Sequence, residues 1–131
     1  MRKRYAEDGV QVAIVRYLRI NGFLFTSTGA GLIKSMKTQM IMKKLGYLPG
    51  TPDLIVFIGG GTLNIECKAP KTMRYSAKTA RMVVNTAGGR QSDSQKEFEE
   101  SVKQIRGHHY IVANDLMDVV KYIKQNGIKP I

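Results

Sequence analysis

Apolar and polar positions change period several times along the chain, and each change marks an element. In residues 5–21, Val10, Ala13, Ile14, Tyr17 and Leu18 recur at helical spacing, and Asn21-Gly22 supplies a stop signal. Residues 23–28 read as a short strand and Thr28-Gly29-Ala30-Gly31 as a loop; no Gly-Lys-Ser/Thr follows these glycines, which counts against a nucleotide-phosphate loop. Residues 32–45 combine Met36, Met40, Ile41 and Leu45 with Lys34, Lys37, Lys43 and Lys44, which predicts a helix with one packed and one cationic face. The continuous apolar run 54–58, the glycines Gly59-Gly60-Gly61 and the alternation Leu63, Asn64, Ile65, Glu66 predict a β-hairpin. Ser92-Asp93 opens a helical pattern that carries Phe98, Val102 and Ile105 and is ended by Gly107. Residues 108–113 read as a strand, and 115–125 as a closing helix with Leu116, Val119, Val120 and Ile123 on its apolar face. The order helix, strand, helix, hairpin, helix, strand, helix predicts an α/β domain, a mixed central β-sheet flanked by helices, with a small-sheet α+β packing as the alternative.

A length of 131 residues, 43% of them hydrophobic, predicts one folded domain over 1–131. No run approaches the roughly 20 apolar residues of a membrane-spanning helix, and the opening Met-Arg-Lys-Arg-Tyr-Ala-Glu-Asp lacks the apolar centre of a signal peptide. The single cysteine leaves no internal disulfide and no cysteine-based zinc site, so the expected location is the cytoplasm. Charge changes the picture most. There are 21 Lys and Arg against 10 Asp and Glu, a formal net of +11, which favours a polyanionic partner such as nucleic acid. Residues 9–52 and 67–92 contain no acid, so the first 92 residues hold only Glu7, Asp8, Asp53 and Glu66. A generally basic protein explains the net charge but leaves this placement to chance.

Asp53 opens the first run of the hairpin, and Glu66-Cys67-Lys68 closes the second. If the turn takes two or four residues, Asp53 falls opposite Glu66 or Lys68, and the two-residue period points all three out of one face. A three-residue loop without a bulge would break this alignment. Clustered carboxylates repel, and burying them is costly unless a cation compensates, so the arrangement suits a hard divalent ion. Mg²⁺, with Mn²⁺ as its substitute, prefers oxygen ligands at about 2.1 Å and keeps waters and phosphates in its shell. Asp53 and Glu66 would bind it, the backbone carbonyl of Cys67 would add a third oxygen, and Lys68 would face the attacking water and the scissile phosphate.

Pro52-Asp53, a spacer, and Glu66-Cys67-Lys68 resemble the PD-(D/E)xK nuclease signature. Gly50-Thr51-Pro52-Asp53-Leu54 together with Gln91 and Gln95 resembles its VRR-NUC branch. The resemblance runs from Glu7 to the strand near Tyr110 and rests on the whole order of elements. It implies a restriction-endonuclease-like core and an acidic residue on the first helix that completes the metal site, for which Glu7 is the matching position and Asp8 the second choice. It also implies a Gln at the start of the third helix that reaches into the site, for which Gln95 matches better than Gln91. The residues alone leave Glu7 equally open as a solvated first-turn carboxylate, and the glutamines as caps or exposed polar groups. What the resemblance implies for function is a metal-dependent endodeoxyribonuclease acting on branched DNA, including Holliday junctions, as a homodimer, in the manner of stand-alone, phage-like members. A non-catalytic nucleic-acid-binding module of the same fold is the rival reading.

Further cations are candidates for DNA contact. Lys34, Lys37, Lys43 and Lys44 would lie along a phosphate backbone or form a merely solvated face, while the methionines beside them are expected to pack in a core or an interface. Residues 69–90, with Lys71, Arg74, Lys78, Arg81 and Arg90, are expected to be a mobile clamp that orders on DNA, or to hold a helix over 77–84 that docks on a second subunit. His108 and His109 are adjacent in a strand and point to opposite faces, so structural or surface roles are expected rather than joint metal ligation.

Overall fold

The computed structural model describes residues 3–86 and 88–131. Its elements are α1 (Lys3–Ile20), β1 (Leu24–Ser27), a 3₁₀ turn (Ala30–Leu32), α2 (Met36–Lys44), β2 (Leu54–Ile58), β3 (Gly61–Cys67), β4 (Thr72–Ser76), β5 (Arg81–Thr86), α3 (Asp93–Lys103), β6 (His108–Ala113) and α4 (Leu116–Gln125). Strands β1, β2 and β3 are antiparallel neighbours and β6 joins β3 in parallel, which gives the mixed sheet β1-β2-β3-β6. The fold is the mixed α/β arrangement that the pattern predicts.

Helices cover both faces of this sheet. On one side Leu54, Val56, Leu63, Ile65, Cys67, Ile111 and Ala113 form the core with Val10, Ile14 and Leu18 of α1 and Val119 and Ile123 of α4. Ile14 and Leu18 are fully buried at helical spacing, and each contributes roughly 1.5–3 kcal/mol by leaving water. On the other side α3 lies across β6, where Phe98 meets Tyr110 at 6.2 Å between ring centroids. Because both faces are covered, the polar positions Asn64 and Glu66 are buried as deeply as the apolar ones beside them. The histidines behave as their opposite faces require: His108 Nδ1 pairs with Thr62 Oγ1 and His109 Nδ1 with Tyr122 Oη, each at 2.7 Å. Among the described residues no helix is long and apolar enough to cross a membrane.

Two expectations are corrected. Helix α2 starts later than residue 32, at a Ser35 cap whose Oγ accepts from the Thr38 amide at 3.0 Å, and its apolar stripe is not packed. Met36, Met40, Ile41 and Leu45 are between 49% and 77% exposed, so a core role for these methionines is excluded. The segment 72–86, where a clamp or a helix over 77–84 is expected, is not helical. It is an antiparallel hairpin, β4–β5, in which Met73 faces Val84, Tyr75 faces Met82, Arg74 faces Val83 and Ser76 faces Arg81. The alternation of Met73 with Tyr75 and of Met82 with Val84 is a strand period, and it outweighs the helix-forming residues near the tip. Asn114 ties down the base of this arm: its Nδ2 donates to the carbonyls of Ala69 at 2.9 Å and Gly89 at 3.5 Å. The Gly89 amide also donates to Ala69 O at 3.1 Å.

Candidate active site

The β2–β3 turn consists of Gly59 and Gly60, because Ile58 pairs with Gly61 and Leu54 with Ile65. One step further along this register, Asp53 stands opposite Glu66, which is the two-residue alternative of the sequence reading. The backbone of Asp53 is pinned to the end of β1. The Thr28 amide donates to Asp53 O at 2.9 Å, and Thr28 Oγ1 donates to Pro52 O at 2.6 Å. The Cys67 amide then donates to Asp53 Oδ2 at 2.8 Å and fixes the orientation of the carboxylate.

The same stretch seats the helix that completes the site. Gly50 has a φ of 90° and packs so closely that a Cβ there would collide with the Ser94 carbonyl, so only glycine meets both demands. Against this surface α3 begins with a capping box. Gln95 Oε1 accepts from the Ser92 amide at 2.9 Å, and Ser92 Oγ accepts from the Gln95 amide at 3.3 Å. The other end of the same amide donates to Glu66 Oε1 at 2.8 Å. Gln95 is therefore both a cap and a site residue. Gln91 is not brought in; its Nε2 donates to Glu99 Oε1 at 3.2 Å, away from the carboxylate pair.

Lys68 Nζ lies 3.8 Å from Glu66 Oε1, with Lys68 8% and Glu66 3% exposed. Glu66 Oε2 is buried and no donor reaches it. Burial, and then the neighbouring Asp53 charge, push the Glu66 carboxyl up to about 9, with Lys68 pulling the other way. Burial also raises Asp53, opposed by the Cys67 amide and Lys68, and the two carboxyls are close enough for one to hydrogen-bond the other when protonated. A buried pair that resists double ionisation, with one oxygen left over, is short of positive charge, and its donor set fits a hard divalent cation. Among the described residues no three His, Cys, Asp or Glu side chains cluster as ready metal ligands. An ion held by this pair would complete its shell with oxygens from backbone, water, substrate or a further side chain, a common pattern for Mg²⁺.

Glu7 and Asp8 line a cleft shared with Asp53, Cys67, Arg16 and Arg19. α1 is described from Lys3, which puts Glu7 in its second turn, and the Glu7 side chain is partly buried. Its charge adds to the upward pressure on Glu66, and that of the more exposed Asp8 adds to the pressure on Asp53. Arg16 and Arg19 were not expected here. Their helical spacing from Asp8 and Val12 is the signal that places them on the cleft side of α1. Tyr47 was likewise missed; burial, helped by the fields of Glu66 and Asp53, raises its hydroxyl above the usual tyrosine range.

The cationic candidates do not converge on the carboxylates. Lys34, Lys37, Lys43 and Lys44 are exposed on and just before α2, and Lys43 borders a groove with Tyr47 and Ser94. Lys71, Arg74, Lys78, Arg81 and Arg90 are exposed along the β4–β5 arm, with Lys71 and Arg90 sharing a cleft at its base. The first strand of the arm begins four residues after Lys68, and its second strand ends ahead of α3, which carries Gln95.

No protein-family model matches the sequence, and no curated protein matches it. Among solved structures, one described as a VRR_NUC domain protein superposes with a TM-score of 0.61 over 95% of this chain and 91% of its own, at 22% identity. The likeness bears out the expected resemblance at the level of architecture: the chain has the nuclease-like fold of a VRR_NUC domain protein.

Proposed function

We propose that this chain is a divalent-metal-dependent endodeoxyribonuclease that hydrolyses phosphodiester bonds in branched DNA as a homodimer. The observation that carries the reading is the cluster of Asp53, Glu66, Lys68 and Gln95, with Glu66 and Lys68 buried, at adjoining strand and helix ends of a nuclease-like fold. Asp53 and Glu66 would hold Mg²⁺ or Mn²⁺, with the Cys67 carbonyl and Glu7 as further oxygen donors. When bound, the ion supplies Lewis acidity that polarises a phosphate and makes water acidic enough to attack phosphorus. Lys68 offers its ammonium to a non-bridging phosphate oxygen and offsets the charge that builds there. Gln95 holds Glu66, and the Cys67 amide holds Asp53, so the acceptor geometry is set before substrate arrives. The lysines of α2 and the cations of the arm neutralise flanking phosphates.

Resolving a four-way junction requires two symmetric cuts, and a two-fold pair of small domains supplies that geometry. The uncovered stripe of Met36, Met40, Ile41 and Leu45 supports such a pairing, since a second copy would remove it from water. The test is cleavage of a labelled four-way junction, a flap and a plain duplex in Mg²⁺, Mn²⁺ or EDTA. The expected result is metal-dependent cutting with paired nicks in the junction, reduced at least about a hundredfold by Asp53→Asn and by Lys68→Ala. Binding without cleavage in either metal would hand the protein to the non-catalytic nucleic-acid-binding reading.

A further inference from the structure

We infer that the β4–β5 arm is a wedge for exposed base faces, docking where the stack of a DNA duplex is interrupted; this rests on the reading of the chain as a DNA-directed protein. Opposed residues of an antiparallel pair share a face, so Met73, Tyr75, Met82 and Val84 form one apolar surface. They are 47%, 63%, 55% and 47% exposed. A two-stranded hairpin is marginal in water without an apolar face packed on something, so this surface calls for an occupant.

Charge selects the occupant. Arg74 and Arg81 point from the opposite face, Lys78 sits at the tip and Lys71 at the base, and residues 67–92 carry no acid. Phosphates on either side of an apolar contact complement Lys78 at the tip and Lys71 at the base, whereas a second arm packed on the same face would add its own lysines to an acid-free surface. In an intact duplex the flat faces of the bases are covered by their neighbours. An apolar β-surface gains burial only where a bulge, nick or branch uncovers them, and there Tyr75 stacks and the methionines and valine fill the gap. The arm is placed to use that contact for positioning: Lys68 precedes its first strand, Gln95 follows its return, and Asn114 fastens its base. A branch point held on the arm would be tethered, through the base of the arm, to the strand and helix that carry Lys68 and Gln95.

The test is binding in EDTA, so that no strand is cut. The full chain is titrated against a fluorescein-labelled duplex and against the same duplex carrying a two-base bulge with 2-aminopurine. Wild type should bind the bulged duplex about tenfold more tightly or better and quench the 2-aminopurine, in line with stacking energies per base. Tyr75→Ser with Met82→Ser, both at exposed positions, should keep the affinity for plain duplex and lose both the preference and the quench. If the double variant retains the preference, or loses affinity for both DNAs equally, the inference is overturned. It is also overturned if the variant instead sediments as a lighter species than wild type, since the face then belongs to a second copy. Failure of the nuclease reading is distinguishable, because wild type would then show the bulge preference in EDTA and no cleavage when Mg²⁺ is restored.

Discussion

β2–β3 and β4–β5 are both antiparallel hairpins with alternating side chains, yet the first is buried on its α1–α4 face and, along β3, on its other face as well, while the second is largely exposed on both. In β2–β3 the apolar set Leu54, Val56, Leu63 and Ile65 lies under α1 and α4, and the polar set Asn64 and Glu66 lies on the side of α3. In β4–β5 an equally regular set, Met73, Tyr75, Met82 and Val84, remains at the surface. The difference comes from the connections rather than from the strands. Helix α1 ahead of β1, α3 ahead of β6 and α4 after β6 pack over the sheet, whereas the arm turns back on itself after four residues, 77–80, and is fastened at its base by Asn114. The covered hairpin can therefore keep charged groups in a fixed, dehydrated geometry, and the uncovered one presents apolar and cationic groups to a partner.

The largest effect should follow from emptying the covered hairpin. Leu54→Ala removes a fully buried side chain beside Asp53 and should cost about 2–5 kcal/mol in urea unfolding, because the cavity cannot collapse between sheet and helices. A smaller effect should come from pH. Glu66 is held up to about 9 against an ordinary 4.5, so the metal-free folded protein keeps a proton there that the unfolded chain has released. The stability this contributes is fully present below about pH 4.5 and is lost as pH rises towards 9; the raised Asp53 acts with the same sign. In EDTA, Tm should fall by several degrees between pH 6 and pH 8.5, and Glu66→Gln should flatten that slope; a flat wild-type profile would contradict the buried carboxyl pair. The smallest effect belongs to the arm. Met82→Ser should change stability by less than about 0.5 kcal/mol, and a loss above about 1 kcal/mol would show that the face is covered in solution.

Much of the sheet and the candidate site was legible in the sequence. Apolar runs bounded by glycines define β2 and β3 whichever helices cover them, and the period of two then places Asp53, Glu66 and Lys68 together once the turn is two residues long. The histidines' opposite faces followed from the same rule. The chain alone left Gln95 between capping and the site because one amide serves both, with its oxygen on the Ser92 amide and its nitrogen on Glu66. α2 was misjudged because an apolar stripe at helical spacing states that a face needs covering and is silent on whether its own chain covers it. The arm was hidden by Lys, Arg, Ser and Thr, which dilute a short strand alternation below the level at which composition suggests structure. Arg16 and Arg19 follow from their helical spacing to Asp8 and Val12 once α1 is known to border the site, whereas Tyr47 reaches the region through tertiary packing that no local motif announces.

Cys67 bears a consequence of a different kind. It is the single cysteine of the chain, 2% exposed, and burial with the neighbouring carboxylates raises its thiol far above the range in which thiolate forms at neutral pH. The native protein should therefore resist maleimides and iodoacetamide. One cysteine introduced at the arm tip, as Lys78→Cys, would be the sole reactive thiol, and a dye attached there would report the arm's contacts with no need to remove the residue whose amide orients Asp53.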